Sequence, residues 1–407
     1  MISTSATNSA TAIEELLNDE RVRAASQLFS ERADAYVDEQ IRLCEIAAPP
    51  FGEGPRAEYF AGRMRELGLS EVQLDEVGNC VAWRPGSVAE PLVVLSAHLD
   101  TVFPAGTDCT VRRERGRLFA PGIGDDGCGL VALLAIAEVL SRGDIRTNGS
   151  LLFVATVGEE GEGNLRGARY LCAQGPWAGK ISSFISFDGP GVARITHAAL
   201  GSRRYRLELR GPGGHSWGDF GVVNPVHALG RVIAKLAAYP APAEPRTTFN
   251  VGRIEGGKGV NVIPVQAALD VDLRSVDADE LLRLDAFFRR TAREAVMEEN
   301  AGRRAGTPPL ELDLRLTGER PGGETPLDSP ITHIAADATL AMGYKPIFDR
   351  SSTDSNVPIS LGIPAVTLGA GGTSGCTHTL DEWYDPRGRE EGLTRGLLTA
   401  LALTGIC

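Results

Sequence analysis

Five short stretches carry acids or histidines where simple surface patterning does not call for them. The first is Gly122-Ile123-Gly124-Asp125-Asp126-Gly127, two adjacent carboxylates between glycines and just ahead of the apolar run Leu130 to Leu140. Adjacent acids repel, and glycine has no side chain to screen them, so the pair calls for bulk solvent or a cation. Taken alone it reads first as a solvated turn at a helix start, where Asp is a favoured cap. His98-Leu99-Asp100 follows the apolar run Leu92 to Ala97. Residues two apart in extended chain face the same side, so Asp100 can accept the far ring N–H of His98. That device fixes the tautomer of a metal-bound imidazole, and it also serves as an ordinary structural pair at a strand end. Gly158-Glu159-Glu160-Gly161-Glu162-Gly163 follows Leu151 to Val157, and its glutamates repel unless solvated or neutralised. Asp188-Gly189, a common turn pair, ends the run Ser183 to Phe187. His378 lies in Cys376-Thr377-His378-Thr379, beyond a glycine-rich loop.

The combination says more than its parts. His98, Asp125, Glu159-Glu160, Asp188 and His378 all fall at or just beyond the expected carboxyl ends of strands, the edge where open α/β sheets bind ligands. Two histidines with several carboxylates suit a pair of divalent ions. One Asp would bridge the ions, a His and a carboxylate would complete each side, and a glutamate left over would take a proton from water.

The elements that must position these groups follow from periodicity. Residues 12–47 read as helical, with Leu16, Leu17, Val22, Ala25, Leu28 and Phe29 spaced three and four apart, up to a stop at Pro49-Pro50. A helix from Pro55 to Leu67 precedes strands at Val72 to Leu74, Cys80 to Arg84 and Leu92 to Ala97; the last is apolar on both faces, as a central parallel strand is. Helix Leu130 to Leu140, strand Leu151 to Val157, a helix near Arg166 to Ala173 and strand Phe184 to Phe187 continue the alternation. This predicts an α/β fold, a mostly parallel sheet with helices on both faces. Near residue 200 the order changes to β-α-β-β-α-β, through Ser202 to Leu209, Pro225 to Ala238, Thr247 to Ile254, Ala267 to Leu273, Asp279 to Glu298 and Leu310 to Leu316. That is the ferredoxin-like pattern of a compact α+β domain. After Thr325-Pro326 the α/β character returns. The expected organisation is a catalytic domain in two parts, 1–200 and 318–407, interrupted by an inserted domain, 201–317.

The totals exclude some partners. The 407 residues carry a formal charge of −12, which argues against a nucleic-acid or anionic-membrane surface. Met1 to Ala10 has neither the basic start nor the apolar stretch of a secretory signal. No apolar run approaches the roughly 18 residues of a membrane span. The seven cysteines are scattered and form no CxxC pair, so neither a disulfide framework nor a zinc ribbon is indicated, and a cytoplasmic location is expected.

The ordered motif set resembles, over nearly the whole chain, the dinuclear zinc exopeptidases and amidohydrolases, a family that includes tripeptidase T, carnosinase, aminoacylase, glutamate carboxypeptidase and succinyl-diaminopimelate desuccinylase. The resemblance implies two divalent ions per subunit, zinc foremost, with manganese or cobalt suited to the same donors. By that likeness His98 and Asp188 serve the first ion, Glu160 and His378 the second, and Asp125 bridges, its peptide bond to Asp126 being cis. Asp100 would orient His98, and Glu159 would be the general base. The inserted domain matches the family's lid and dimerisation domain, which implies a homodimer. In it Gly213-Gly214-His215-Ser216 matches a motif whose histidine reaches the partner subunit's site and stabilises the oxyanion. Gly259-Val260-Asn261-Val262-Ile263-Pro264 matches a motif with a substrate-binding asparagine, and Arg274 stands where relatives grip a substrate carboxylate. The weaker alternatives by residue type are that Asn261 caps a turn and that Arg274 pairs with an acid in its own sheet.

Some residues depart from the family pattern. Trp217 and Phe220 are bulkier than is common after the lid histidine, and Cys128 and Cys376 either line the pocket or act as small filler. Ser351-Ser352-Thr353-Asp354-Ser355-Asn356 resembles the tripeptidase-like branch, where this loop helps form the substrate end of the site. The implied activity is hydrolysis of an amide or peptide C–N bond in a small carboxylate-bearing substrate, such as a dipeptide or an N-acyl amino acid, through a metal-activated water with Glu159 as base. The alternative is a hydrolytic deaminase of an aromatic or heterocyclic amine on the same dinuclear site, which Trp217 and Phe220 would suit. A two-metal phosphoesterase lacks its Gly-rich phosphate cradle, and Glu159 argues against a non-catalytic scaffold.

Overall fold

The computed structural model describes residues 6–407. The chain divides into two compact units, one made of Met1–Ala199 with Glu324–Cys407 and the other of Leu200–Gly323. Among the described residues no helix is long and apolar enough to cross a membrane.

In the first unit the sheet runs in the order Ser70–Leu74, Cys80–Arg84, Ser150–Thr156, Leu92–His98, Ser183–Phe187, Ala365–Leu368 and Arg194–Ala199. It is mixed, not mostly parallel as the alternation of strands and helices predicts. The four strands from Ser150–Thr156 to Ala365–Leu368 are parallel neighbours, with every residue buried. Outside that core three pairings reverse, Cys80–Arg84 being antiparallel to both Ser70–Leu74 and Ser150–Thr156, and Ala365–Leu368 to Arg194–Ala199, while Ile347–Ser351 runs parallel to Arg194–Ala199. Periodicity reports burial and says nothing of direction. A short turn returns the chain antiparallel, whereas a parallel neighbour needs a crossover, and Ser70–Leu74 and Cys80–Arg84 are joined by the turn at Asp75–Asn79.

The helical stretch expected at 12–47 is three helices, Ala6–Asn18, Glu20–Glu31 and Ala33–Glu45. Asp19 makes the first break by accepting from the N–H groups of Arg21 and Val22 as an N-cap, and Arg32 leaves helical geometry at the second. Helix Gly127–Arg142 is buried on all sides from Gly127 to Leu140, because it packs between the Leu92–His98 strand and helices Ala33–Glu45 and Arg389–Thr404. A small antiparallel sheet of Thr373–Gly375, Trp383–Asp385, Arg117–Phe119 and Arg112–Glu114 has no counterpart in the sequence reading. Its strands are only three residues long, too short for a period-2 signal to rise above noise.

In the second unit, strands Thr247–Gly256, Gln266–Ser275, Gly201–Arg210 and Glu311–Arg320 form, in that order, an antiparallel sheet. Along Gln266–Ser275 the residues Ala267, Leu269, Val271 and Leu273 are buried while Asp270, Asp272 and Arg274 face the other side. The buried face packs on helices Pro225–Ala237 and Ala278–Ala301 through a core that includes Leu207, Leu229, Val232, Leu269, Leu284 and Phe288.

Candidate metal centre

The strand ends of the first unit place the acids. Leu92–His98 pairs with Ser150–Thr156 so that His98 stands opposite Thr156. Glu159 and Glu160 therefore leave the sheet beside His98, and Asp188 leaves it one strand away on the other side, just after Phe187. The Gly122–Asp126 turn brings Asp125 to the same edge. Gly122 has a left-handed φ of 75°, and a Cβ there would lie 2.6 Å from the Thr101 methyl, so glycine is required. The Asp125–Asp126 peptide is cis.

Asp125 lies between two imidazoles, with one carboxylate oxygen on each. Its Oδ1 is 2.9 Å from His98 Nε2 and its Oδ2 is 3.0 Å from His378 Nε2. His378 Nε2 is also 2.9 Å from Glu160 Oε1. His98, Asp125 and Asp188 can each turn one ligand atom into a space where all lie within 4.8 Å, and so can Asp125, Glu160 and His378. The two groups share Asp125. A third such group, His98 with Glu159 and Glu160, adds the other glutamate to the same edge. His98, Glu159 and Glu160 are buried, Asp125 and Asp188 half-buried and His378 exposed.

Crowding of like charge shows in the acidities. Burial, with the Asp125 charge added, pushes Asp188 up to about 7. Burial alone would raise Asp125 as well, but its bonds to His378 and His98 outweigh that and hold it below the ordinary carboxylate range. His378 is pushed up to about 10 by its bonds to Asp125 and Glu160. Burial disfavours a charged His98, yet the bond to Asp125 and the charges of Asp126, Asp125 and Asp100 raise it. This is the electrostatics of a site that asks for positive charge.

Three buried carboxylates hold the backbone of this cluster. Asp126 caps helix Gly127–Arg142 by accepting from Gly129 N–H at 3.1 Å, and it also accepts from His98 N–H at 3.1 Å and Gly189 N–H at 3.2 Å. Asp100 accepts from the N–H groups of Glu159 at 2.9 Å and Glu160 at 2.7 Å. Its carboxylate stands 3.8 Å from His98 Nδ1; the ring instead faces the Asp100 main-chain carbonyl at 2.9 Å. The third is Glu382, which the sequence reading does not single out. It accepts from Gly122 at 3.1 Å, Gly124 at 2.8 Å and Asp125 at 2.9 Å. Its only local signal is an acid four residues after His378 and directly before the short strand Trp383–Asp385.

The remaining expected residues have varied surroundings. The Cys128 thiol is buried and donates to the Gly124 carbonyl at 2.9 Å, while Cys376 is exposed. Thr353, Asp354, Ser355 and Asn356 are buried, and Asp354 accepts from the Thr156 hydroxyl at 2.5 Å, so this stretch braces a strand end. In the 200–323 unit His215 is exposed; its N–H donates to Asp219 at 2.8 Å and its Nδ1 accepts from Trp217 N–H at 3.2 Å. Trp217 and Phe220 are 88% and 82% exposed. Asn261 is exposed, and its main-chain carbonyl accepts from Ser216 N–H at 3.0 Å. Arg274 Nε donates to Asp272 at 2.6 Å, so the guanidinium is already engaged within its own strand.

A sequence model of peptidase family M20/M25/M40 matches residues 94–402. The chain belongs to this family. It is 26% identical over 338 residues to acetylornithine deacetylase of Myxococcus xanthus, a match spanning 78% of this chain and 84% of that one. Its fold is that of aminopeptidase PepT from Bacillus cereus, with a TM-score of 0.73 at 21% identity over 91% of this chain and 98% of the other. The Bacillus subtilis YXEP protein, described as a dinuclear metal-binding peptidase, superimposes with a TM-score of 0.67 at 16% identity over 92% and 99%. As an M20-family enzyme the protein is a hydrolase acting on C–N bonds of small substrates. Its donors fit the metal use of such enzymes: imidazole and carboxylate groups in two clusters that share one carboxylate.

Proposed function

We propose that the protein hydrolyses an amide or peptide bond in a small carboxylate-bearing substrate, a dipeptide or an N-acyl amino acid, using two divalent ions, zinc foremost. The observation that carries this is Asp125, which offers one oxygen to the His98 side and the other to the His378 side. His98 and Asp188 would hold one ion, Glu160 and His378 the other, and Asp125 both. Such a pair, when bound, supplies Lewis acidity towards a carbonyl and towards water.

The chain's own residues do the rest. Glu159, buried beside His98 and Glu160, takes the proton of the attacking water and returns it to the leaving amine. Asp100 fixes Glu159 and Glu160 by holding both of their N–H groups. His215, exposed on the inserted unit, donates to the oxyanion formed on the substrate carbon in a neighbouring copy of the chain. Asn261 and Arg274 bind the substrate, with Arg274 sharing its guanidinium between Asp272 and the substrate carboxylate. The inserted unit serves as lid and dimerisation domain.

The test is a panel of dipeptides and N-acyl amino acids assayed with zinc, manganese and cobalt in turn. Release of free amine with a new carboxylate supports amide hydrolysis, and no turnover of any amide with any metal ends it. One observation favours a second reading: Trp217 and Phe220 stand exposed near His215 in the chain, as a site for an aromatic amine would require. Ammonia released from such an amine, with no carboxylic acid formed, would favour the deaminase. The cross-subunit role of His215 has its own check. Mixing a His215→Ala chain with a Glu159→Gln chain is expected to restore about a quarter of wild-type activity on random pairing, since half of the dimers regain one of two sites, and absence of any restoration refutes the role.

A further inference from the structure

We propose that Glu382 is a positioning residue for the metal centre, a buried clasp that sets Asp125 in register with His378. The inference rests on the proposed ligand role of Asp125. The Glu382 side chain is fully buried. Its carboxylate accepts from three main-chain N–H groups of one turn, those of Gly122, Gly124 and Asp125. An ionised carboxylate offers only acceptors, so converging N–H donors suit it, and together they define where the Asp125 backbone sits.

The turn is built to receive it. A Cβ at Gly124 would lie 3.0 Å from Ser374 Cβ and 3.2 Å from Glu382 Oε1, so the absence of a side chain lets the carboxylate approach the backbone. The main chain of Glu382 adds a further bond, its carbonyl accepting from Ala120 N–H at 3.1 Å.

The chain position of the clasp gives it its consequence. Glu382 and His378 leave the same connection between strands Thr373–Gly375 and Trp383–Asp385. That connection is tied down where Trp383 pairs with Phe119, three residues before Gly122. One loop thus carries an imidazole that meets Asp125 Oδ2 at 3.0 Å and a carboxylate that holds the Asp125 main chain at 2.9 Å. Segments more than 250 residues apart are locked at both the side chain and the backbone. An Asp125 that drifted from His378 would have to break the clasp first.

The test is Glu382→Gln, an isosteric change that puts an amide NH2 against at least one of the three donors. Metal binding to the full-length protein is followed by calorimetry with zinc and by the visible absorption of the cobalt-loaded form. The expected result is metal affinity weakened about tenfold or more, with a changed cobalt spectrum and kcat reduced more than KM. Wild-type affinity and an unchanged spectrum overturn the proposal. Should the variant not fold, the native protein carries the test through hydrogen exchange without metal: the amides of Gly122, Gly124 and Asp125 must exchange slowly, and rapid exchange overturns the clasp. If instead the native protein binds no metal while those amides exchange slowly, the ligand role of Asp125 fails and the clasp itself stands.

Discussion

Carboxylates do opposite work around the candidate metal centre and on the open face of the inserted sheet. Around the candidate metal centre, Asp100, Asp126 and Glu382 are buried and accept from main-chain N–H groups. On the open face of the inserted sheet, Asp270, Asp272 and Glu255 are part-exposed and meet guanidinium groups: Arg206 reaches Asp270 at 3.1 Å and Glu255 at 2.8 Å, and Arg204 reaches Asp272 at 3.2 Å. A main-chain N–H is already fixed by the fold, so a buried acceptor converts it into a position for the residue that carries it. A long arginine must give up rotamer freedom to form its pair, and solvent and salt screen what it gains. The difference teaches that an acid's partner, more than its charge, separates an acid that aims a site from one that solubilises a surface.

The sharpest way to break this contrast is with Glu159, an acid proposed to do chemistry where its neighbours only hold. Glu159→Gln is expected to lower kcat by about a thousandfold or more while metal content is unchanged; near-normal turnover would remove Glu159 from the role of base. Next comes Asp126→Ala, which strands the N–H groups of His98, Gly129 and Gly189 in a buried site. It is expected to cost about 3 kcal/mol in denaturant unfolding, and a loss below about 1 kcal/mol would mean that the buried acids hold the backbone no better than surface pairs do.

A pH scan of metal-free protein sharpens the same point. His378, with its pKa raised from 6.5 to about 10, binds its proton more tightly in the folded state. Its contribution is full below pH 6.5 and is lost as pH rises to about 10. Asp188, raised from 3.8 to about 7, acts in the same direction over its own lower range. The melting temperature of metal-free protein should therefore fall from pH 6.5 towards 10, while the gain on adding zinc grows with pH as its ligands lose their protons. A metal-free melting temperature flat across that range would contradict the assigned proton positions. The smallest effect is expected at the inserted sheet. Arg206→Ala should cost about 1 kcal/mol or less and lose even that in high salt, and a larger, salt-independent loss would make the ladder structural after all.

Much of the fold was legible in local pattern. Leu92 to Ala97 is apolar on both faces, Leu151 to Val157 and Ser183 to Phe187 are strand-like runs, and strands stand there with every residue of Leu92–His98, Ser150–Thr156 and Ser183–Phe187 buried. Asp19 was a helix cap hidden inside an amphipathic run, because the apolar spacing continues across the break. Strand direction was hidden as well: Cys80–Arg84 has the composition of a buried strand whichever way it runs.

For the candidate site the division is just as specific. Local pattern places the residue types that gather at the strand ends, since His98, Glu159-Glu160 and Asp188 each follow a strand-like run that the fold buries. It also determined the family, through the order of those motifs. Which acids hold and which are held depends on contacts made by the folded chain. The Asp100 carboxylate stands 3.8 Å from the His98 ring and accepts from the N–H groups of Glu159 and Glu160, which the fold brings to it from the neighbouring strand end. Glu382 found Asp125 across more than 250 residues because a three-residue strand pairs beside the turn. The physical reason is common to both: hydrophobic periodicity is written along the chain, whereas the partner of a main-chain N–H is chosen by whatever the folded chain brings within about 3 Å of it.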